Sequence, residues 1–85
     1  MDEIIAKMKE LETLIKAQGN IISCEVNTGS LGLSILVHEM ANVPTKKGTT
    51  YTKTDSSLPY AKTTVIDGVK VNAWGTLEEM RNEVA

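Results

Sequence analysis

The sequence predicts a small α+β domain: an N-terminal amphipathic helix, an antiparallel sheet of about four strands built from two hairpins, and a short C-terminal helix. Three observations lead to this prediction. Apolar residues recur every three or four positions over residues 2–18, apolar and polar residues alternate in two later segments, and an Asp-Gly pair separates the last two strand-like stretches. With 85 residues the chain forms a single domain, residues 1–85, because a second hydrophobic core needs about twice this length.

The first element is a helix over residues 2–18. Asp2 and Glu3 suit the positive end of the helix dipole, and Gly19 followed by Asn20 provides the stop signal. The side chains that form its apolar stripe are Met1, Ile4, Ile5, Met8, Leu11, Leu14 and Ile15. We expect this stripe to pack on the domain's own sheet, and the alternative is that it meets the same helix of a second copy.

The first hairpin is predicted over residues 21–39. Ile22, Cys24 and Val26 share one face of its first strand, and residues 27–30 form the turn. Its second strand alternates in the same way, with one apolar series consisting of Leu31, Leu33, Ile35 and Val37. Because Cys24 falls in the apolar alternation, we expect it to act as a small core residue and not as a reactive thiol.

The second hairpin is predicted over residues 62–74. Asp67-Gly68 is a type I′ turn signal, which sets Ile66 opposite Val69 and Thr64 opposite Val71. The other face of the last strand carries Lys70, Asn72 and Trp74. A capping box, with Thr76 as N-cap and Glu79 at the third helical position, then opens a helix over residues 76–84 whose apolar side presents Leu77, Met80 and Val84.

A long Thr/Lys loop, residues 43–62, joins the two hairpins. A structureless connection of this length is uncommon in a compact domain, so either "TTYTKT" forms an additional strand or the segment binds something. Lysines and threonine hydroxyls suit phosphate oxygens, and aromatic rings stack on a base, although a solvated edge strand has the same composition. The candidate ligand-binding residues are Lys46, Lys47, Thr49, Tyr51, Lys53, Tyr60 and Trp74.

Several classes of function are disfavoured by composition. Cys24 and His38 are the only cysteine and the only histidine, so neither a disulfide nor a zinc set is expected, and no nucleophile or nucleotide-fold motif is present. We therefore predict no enzyme, no metal and no cofactor. A net charge of −2 argues against general nucleic-acid binding. The acidic start and the absence of a long apolar run argue against membrane insertion, and they predict a cytoplasmic protein.

The core has few large side chains. The chain has no Phe, and its only aromatic residues are Tyr51, Tyr60 and Trp74. Small domains of this kind gain stability from disulfides, metals or association, and the first two are not expected here. The sequence therefore predicts a homo-oligomer, a dimer or a larger assembly.

Residues 55–80, "DSSLPYAKTTVIDGVKVNAWGTLEEM", resemble a pattern found in small accessory proteins of tailed phages and prophages, and "KAQGNI" at the end of the first helix is similar to the same group. The resemblance covers about half of the chain. It implies a non-enzymatic accessory protein that acts in the host cytoplasm, for example an anti-defence protein that sequesters a nucleotide-derived signal. The alternative is an interaction module that blocks a host protein through its helix stripe or a strand edge.

Overall fold

A computed structural model of the chain describes residues 1–29, 32–53 and 59–84. Leu31, residues 54–58 and the side chain of Val84, which belong to predicted elements, lie outside this description. The elements are α1 (Asp2–Gln18), β1 (Ile21–Val26), β2 (Leu33–Val37), a 3-10 turn (Met40–Asn42), β3 (Thr50–Lys53), β4 (Tyr60–Ile66), β5 (Val69–Gly75) and α2 (Leu77–Val84). The α+β class with a helix at each end is confirmed.

The strands form one five-stranded sheet in the order β1-β2-β5-β4-β3. Both predicted hairpins are present, but β2 and β5 lie side by side and run parallel, with Ile35 beside Val71. The prediction of about four antiparallel strands is corrected to a mixed sheet of five. Alternation in sequence identifies the inward face of a strand but not its neighbour, so the parallel junction left no local signal.

The segment 43–62 is not one continuous loop. Thr50–Lys53 pairs antiparallel with β4, from Thr50 opposite Thr63 to Lys53 opposite Tyr60, so β4 begins two residues earlier than predicted. Of the two alternatives for "TTYTKT", the structure contains the additional strand. Its Thr and Tyr side chains are types that favour a pleated, half-buried surface.

The β4–β5 hairpin follows the sequence signals closely. Asp67 and Gly68 both have positive φ, +48° and +82°, as a type I′ turn requires, and Ile66 lies opposite Val69. At the start of α2, the Glu79 backbone N–H donates to Thr76 Oγ at 3.2 Å, which confirms the N-cap. The Glu79 carboxylate does not complete the predicted capping box but accepts from the Met40 backbone N–H at 3.3 Å.

The hydrophobic core lies on one face of the sheet. Its buried members are Val37, Val43, Val71 and Ala73, with half-buried Ile21, Ile35 and Ile66 packed against them. Met40 in the 3-10 turn is 1% exposed, and α2 packs against the same turn. The centre of this face is therefore covered by the connection after β2 and by the C-terminal helix.

The expectation that the stripe of α1 packs on the chain's own sheet is wrong. No residue of α1 is buried, and Met1, Met8 and Leu14 are 86%, 64% and 66% exposed. Contact with the sheet is confined mainly to its edge strand β1, because the turn at Met40 and α2 already occupy the centre of the apolar face. The chain is elongated as a result, 46 × 28 × 25 Å, and its radius of gyration of 14.2 Å exceeds the ~12 Å expected of a compact domain of this length.

Candidate functional site

Residues 46–49 form a turn that we call the cationic turn. The Thr49 backbone N–H donates to the Lys46 carbonyl at 3.0 Å, and the Lys46 backbone N–H donates to Thr49 Oγ at 2.8 Å. Thr49 Oγ lies 3.2 Å from the hydroxyl of buried Thr64 on β4, and Gly48 supplies the positive φ, +91°, that closes the turn. The exposed Lys46 and Lys47 side chains are thus carried on a turn that is anchored to the sheet.

Six of the seven predicted ligand-binding residues lie along the β3 edge of the sheet, with Lys46 and Lys47 before one end of β3 and Tyr60 beside the other. Strand alternation places Thr49, Tyr51 and Lys53 on the core side of β3, and the register sets Tyr60 opposite Lys53. Trp74 lies opposite Ala61, on the other face of the sheet. The predicted set is therefore divided, and Trp74 does not share a surface with the two tyrosines.

Lys62, which contributes to the basic character of segment 43–62 in the sequence, is 1% exposed. Its Nζ donates to Thr45 Oγ at 2.8 Å and to the Met40 carbonyl at 3.4 Å, and forms an ion pair with Glu83 of α2. This lysine joins α2 to the sheet and is not available to a ligand. The signal was present in the sequence, because Lys62 shares its alternation with inward-facing Thr64 and Ile66.

A shallow cleft of about 250 Å³ lies on the opposite face of the sheet, around Trp74. Trp74 is 39% exposed and shares this cleft with Leu36, which makes a small apolar centre. The polar residues that line it are Ser23, Glu25, Asn27, Ser34, Lys70 and Asn72. An apolar centre with a polar rim is the usual anatomy of a contact surface, but here its area is small.

A larger groove lies beside α1, in two parts that share no lining residue, and we call it the apolar groove. One part, of about 600 Å³, lies under the helix between Ile5, Met8 and Cys24. A second part, of about 580 Å³, lies between Leu14 and the half-buried Ile35 of the sheet, and its lining is about equally polar and apolar. The sequence predicted the apolar stripe and left open that it meets a second chain, but it did not predict the groove between α1 and the sheet.

Cys24 and His38 show no special chemistry. Cys24 is half-buried at the groove, and burial raises the pKa of its thiol, so the neutral form is favoured. His38 is exposed, and its backbone N–H donates to the Asn20 carbonyl at 2.9 Å. Among residues 1–29, 32–53 and 59–84, no three His, Cys, Asp or Glu side chains come together in a way that suits a metal ion.

Neither helix in the described ranges combines the length and the apolar character needed to cross a membrane. Comparison of the chain with protein-family models finds none that matches, and comparisons with curated proteins and with solved structures find no significant match.

Proposed function

We propose that this chain is a non-enzymatic protein-interaction module whose contact surface is the stripe of α1 together with the apolar groove. The observation that supports this proposal best is the exposure of the stripe: its large apolar side chains, from Met1 to Leu14, are 38% to 86% exposed. Contiguous apolar patches of this kind on folded chains mark interaction sites. The resemblance of residues 55–80 to phage accessory proteins suggests a module that blocks a host protein.

The free-energy contributions to the stability of α1 favour a stripe that is covered by a partner. Helices of about 12 to 15 residues are marginal in water by themselves, and α1, with 17 residues, is only slightly longer. Its surface ion pairs, Lys7 with Glu10 at 3.5 Å and Lys16 with Glu12 at 3.9 Å, contribute about 0.2 to 0.5 kcal/mol each. Full burial of one Ile, Leu or Met side chain contributes about 1.5 to 3 kcal/mol. Contact with a partner therefore stabilises α1 far more than its own charges do.

A charge placed in the stripe tests this proposal. We expect Met8→Glu to reduce at least tenfold the amount of protein that the immobilised chain captures from a bacterial lysate, because a carboxylate cannot be buried unpaired. Untagged copies of the chain itself count as captured protein. Ala6→Glu is the matched control, since it places the same charge on the exposed opposite side of the same helix. Equal capture by the wild type and both variants would contradict the proposal.

The second candidate function is capture of a phosphorylated aromatic molecule, such as a nucleotide-derived signal. The observation that favours it is the anchored cationic turn, which carries Lys46 and Lys47 beside the strand that presents Tyr51 and Lys53. Backbone N–H groups, hydroxyls and lysine ammonium groups together suit phosphate, and a tyrosine ring suits a base. In this proposal the lysines hold the phosphate and Tyr51 and Tyr60 hold the base.

Calorimetry with a panel of cyclic nucleotides and ADP-ribose derivatives tests the second candidate. We expect the double variant Lys46→Ala/Lys47→Ala to weaken binding at least tenfold, because it removes both charges of the turn. Trp74→Ala is expected to leave the affinity unchanged, since Trp74 lies on the other face of the sheet. The absence of binding heat for every member of the panel would count against ligand capture.

A further inference from the structure

We infer that the occupant of the α1 stripe is a second copy of this chain, and that the two α1 helices pair antiparallel about a twofold axis between Lys9 and Glu10. This inference rests on the proposed function, because it names the partner of the same surface. It goes further in fixing the orientation of the pair and the residues that face each other. Three independent features of α1 support it.

The first feature is the symmetry of the apolar pattern about the middle of α1. In an antiparallel pair with this axis, Ile4 lies opposite the partner's Ile15, and Met8 lies opposite the partner's Leu11. The four central positions of the seam, Ile4, Met8, Leu11 and Ile15, thus meet one another, and Met1 at the end of the stripe lies opposite the partner's Gln18. The three-and-four spacing keeps these residues on one side along the helix, as a two-helix seam requires.

The second feature is charge. Antiparallel packing places Lys7 beside the partner's Glu10 on one flank of the seam and Glu12 beside the partner's Lys9 on the other. It also brings the acidic first turn, Asp2 and Glu3, to the same end of the pair as the partner's Lys16, and it opposes the two helix dipoles. A parallel pair would put both acidic first turns at one end. The charge distribution therefore favours the antiparallel arrangement.

The third feature is the area available for association. The chain has 6,414 Å² of accessible surface. A compact monomer of 9.2 kDa is expected to have about 4,900 Å², which leaves an excess of about 1,500 Å². A standard interface buries about 800 Å² on each partner, so pairing through α1 needs only part of this excess. The groove at Cys24 adjoins this surface, between α1 and the edge strand β1.

Sedimentation of the purified chain tests the identity of the occupant. We expect a species of twice the 9.2 kDa mass at micromolar concentration. Met8→Glu is expected to give the monomer, and Ala6→Glu is expected to keep the dimer. A monomeric wild type would overturn the inference, and so would a dimer that Met8→Glu leaves intact.

Cysteine trapping tests the orientation. In a Cys24→Ser background, a mixture of Met8→Cys and Leu11→Cys chains is expected to form a mixed disulfide at least tenfold faster than either variant forms its own, since only the mixed pair is directly opposed in the antiparallel seam. Faster homodisulfide formation by Met8→Cys alone would show a parallel pair and would contradict the inference.

The two levels of the proposal are distinguishable. If the purified chain is a monomer but lysate capture still depends on Met8, the stripe binds a different protein, so the second-copy inference is wrong and the proposed function stands. If neither self-association nor capture depends on Met8, both are wrong. Dimerisation that Met8→Glu abolishes, together with mixed-disulfide trapping, supports both.

Discussion

Replacing Glu83 with glutamine lowers the free energy of unfolding by about 3 to 5 kcal/mol, the range expected when one partner of a buried ion pair is removed. Lys62 is the reason. Lys62 is 1% exposed, and its ammonium group pairs with the carboxylate of Glu83, whose side chain is 18% exposed. Among the described residues, the partners that remain without that carboxylate, Thr45 Oγ and the Met40 carbonyl, are neutral and do not compensate the charge.

The measurement is urea unfolding followed by the fluorescence of Trp74, the only tryptophan in the chain. A domain of 85 residues is expected to have a total stability of about 4 to 13 kcal/mol, so the loss is a large fraction of it. Glu78→Gln is the control, because Glu78 is an exposed carboxylate in the first turn of the same helix. This control variant is expected to change the free energy of unfolding by less than about 0.5 kcal/mol.

A double variant separates charge from packing. Adding Lys62→Met to Glu83→Gln removes the unpaired charge and keeps an apolar chain of similar length, so we expect most of the lost stability to return. If Glu83→Gln alone has no effect, the ion pair does not hold α2 on the sheet. If the double variant is no better than Glu83→Gln, the loss comes from packing around Glu83 and not from the buried charge.

Lys62 also shows which parts of the site were readable from sequence. Local alternation places it on the inward face with Thr64, and the same rule places Thr49, Tyr51 and Lys53 together once β3 is known. Its partner Glu83 is 21 residues away on another element, and no local pattern links the two. A count of charges makes segment 43–62 basic with Lys62 included, but such a count does not show that the side chain is buried.

The fold likewise has features that local sequence signals predict and features that they do not. Asp67-Gly68 and Thr76 act on residues within a few positions, so the turn, the hairpin register and the start of α2 were all predictable. The parallel contact of β2 with β5 joins residues about 36 positions apart, such as Ile35 and Val71, and depends on how the connection folds over the sheet. Strand periodicity carries no information on that choice.

The placement of α1 is the largest departure from expectation. An apolar stripe on a helix has the same sequence whether it covers the chain's own sheet or a neighbouring chain. The decisive residues lie elsewhere: Met40 and Val43 fill the centre of the apolar face, which leaves α1 only the margin beside β1. The sequence predicted the stripe, but what the stripe packs against depends on which segment covers the centre of the sheet.

Met40 is therefore the residue on which the cover of the sheet depends, and Met40→Ala is expected to lower the free energy of unfolding by about 2 to 5 kcal/mol. The side chain is 1% exposed and packs beside Gly75 at the end of β5. Truncation leaves a cavity at the point where the 3-10 turn and α2 meet the sheet. Truncation also removes packing next to Glu39, whose backbone is held at a φ of +60°, a strained conformation for a residue with a side chain.

Urea unfolding of Met40→Ala and Met40→Leu distinguishes the effect of lost side-chain volume from the effect of replacing methionine by another apolar residue. Leucine nearly conserves the volume and is expected to cost less than about 1.5 kcal/mol. Hydrogen exchange adds a local readout: amides of α2 are expected to lose protection in Met40→Ala, because α2 packs against the 3-10 turn from which the buried side chain is removed. Equal stability of the alanine and leucine variants, with α2 still protected, would mean that Met40 does not secure the cover and that α1 is kept from the sheet by something else.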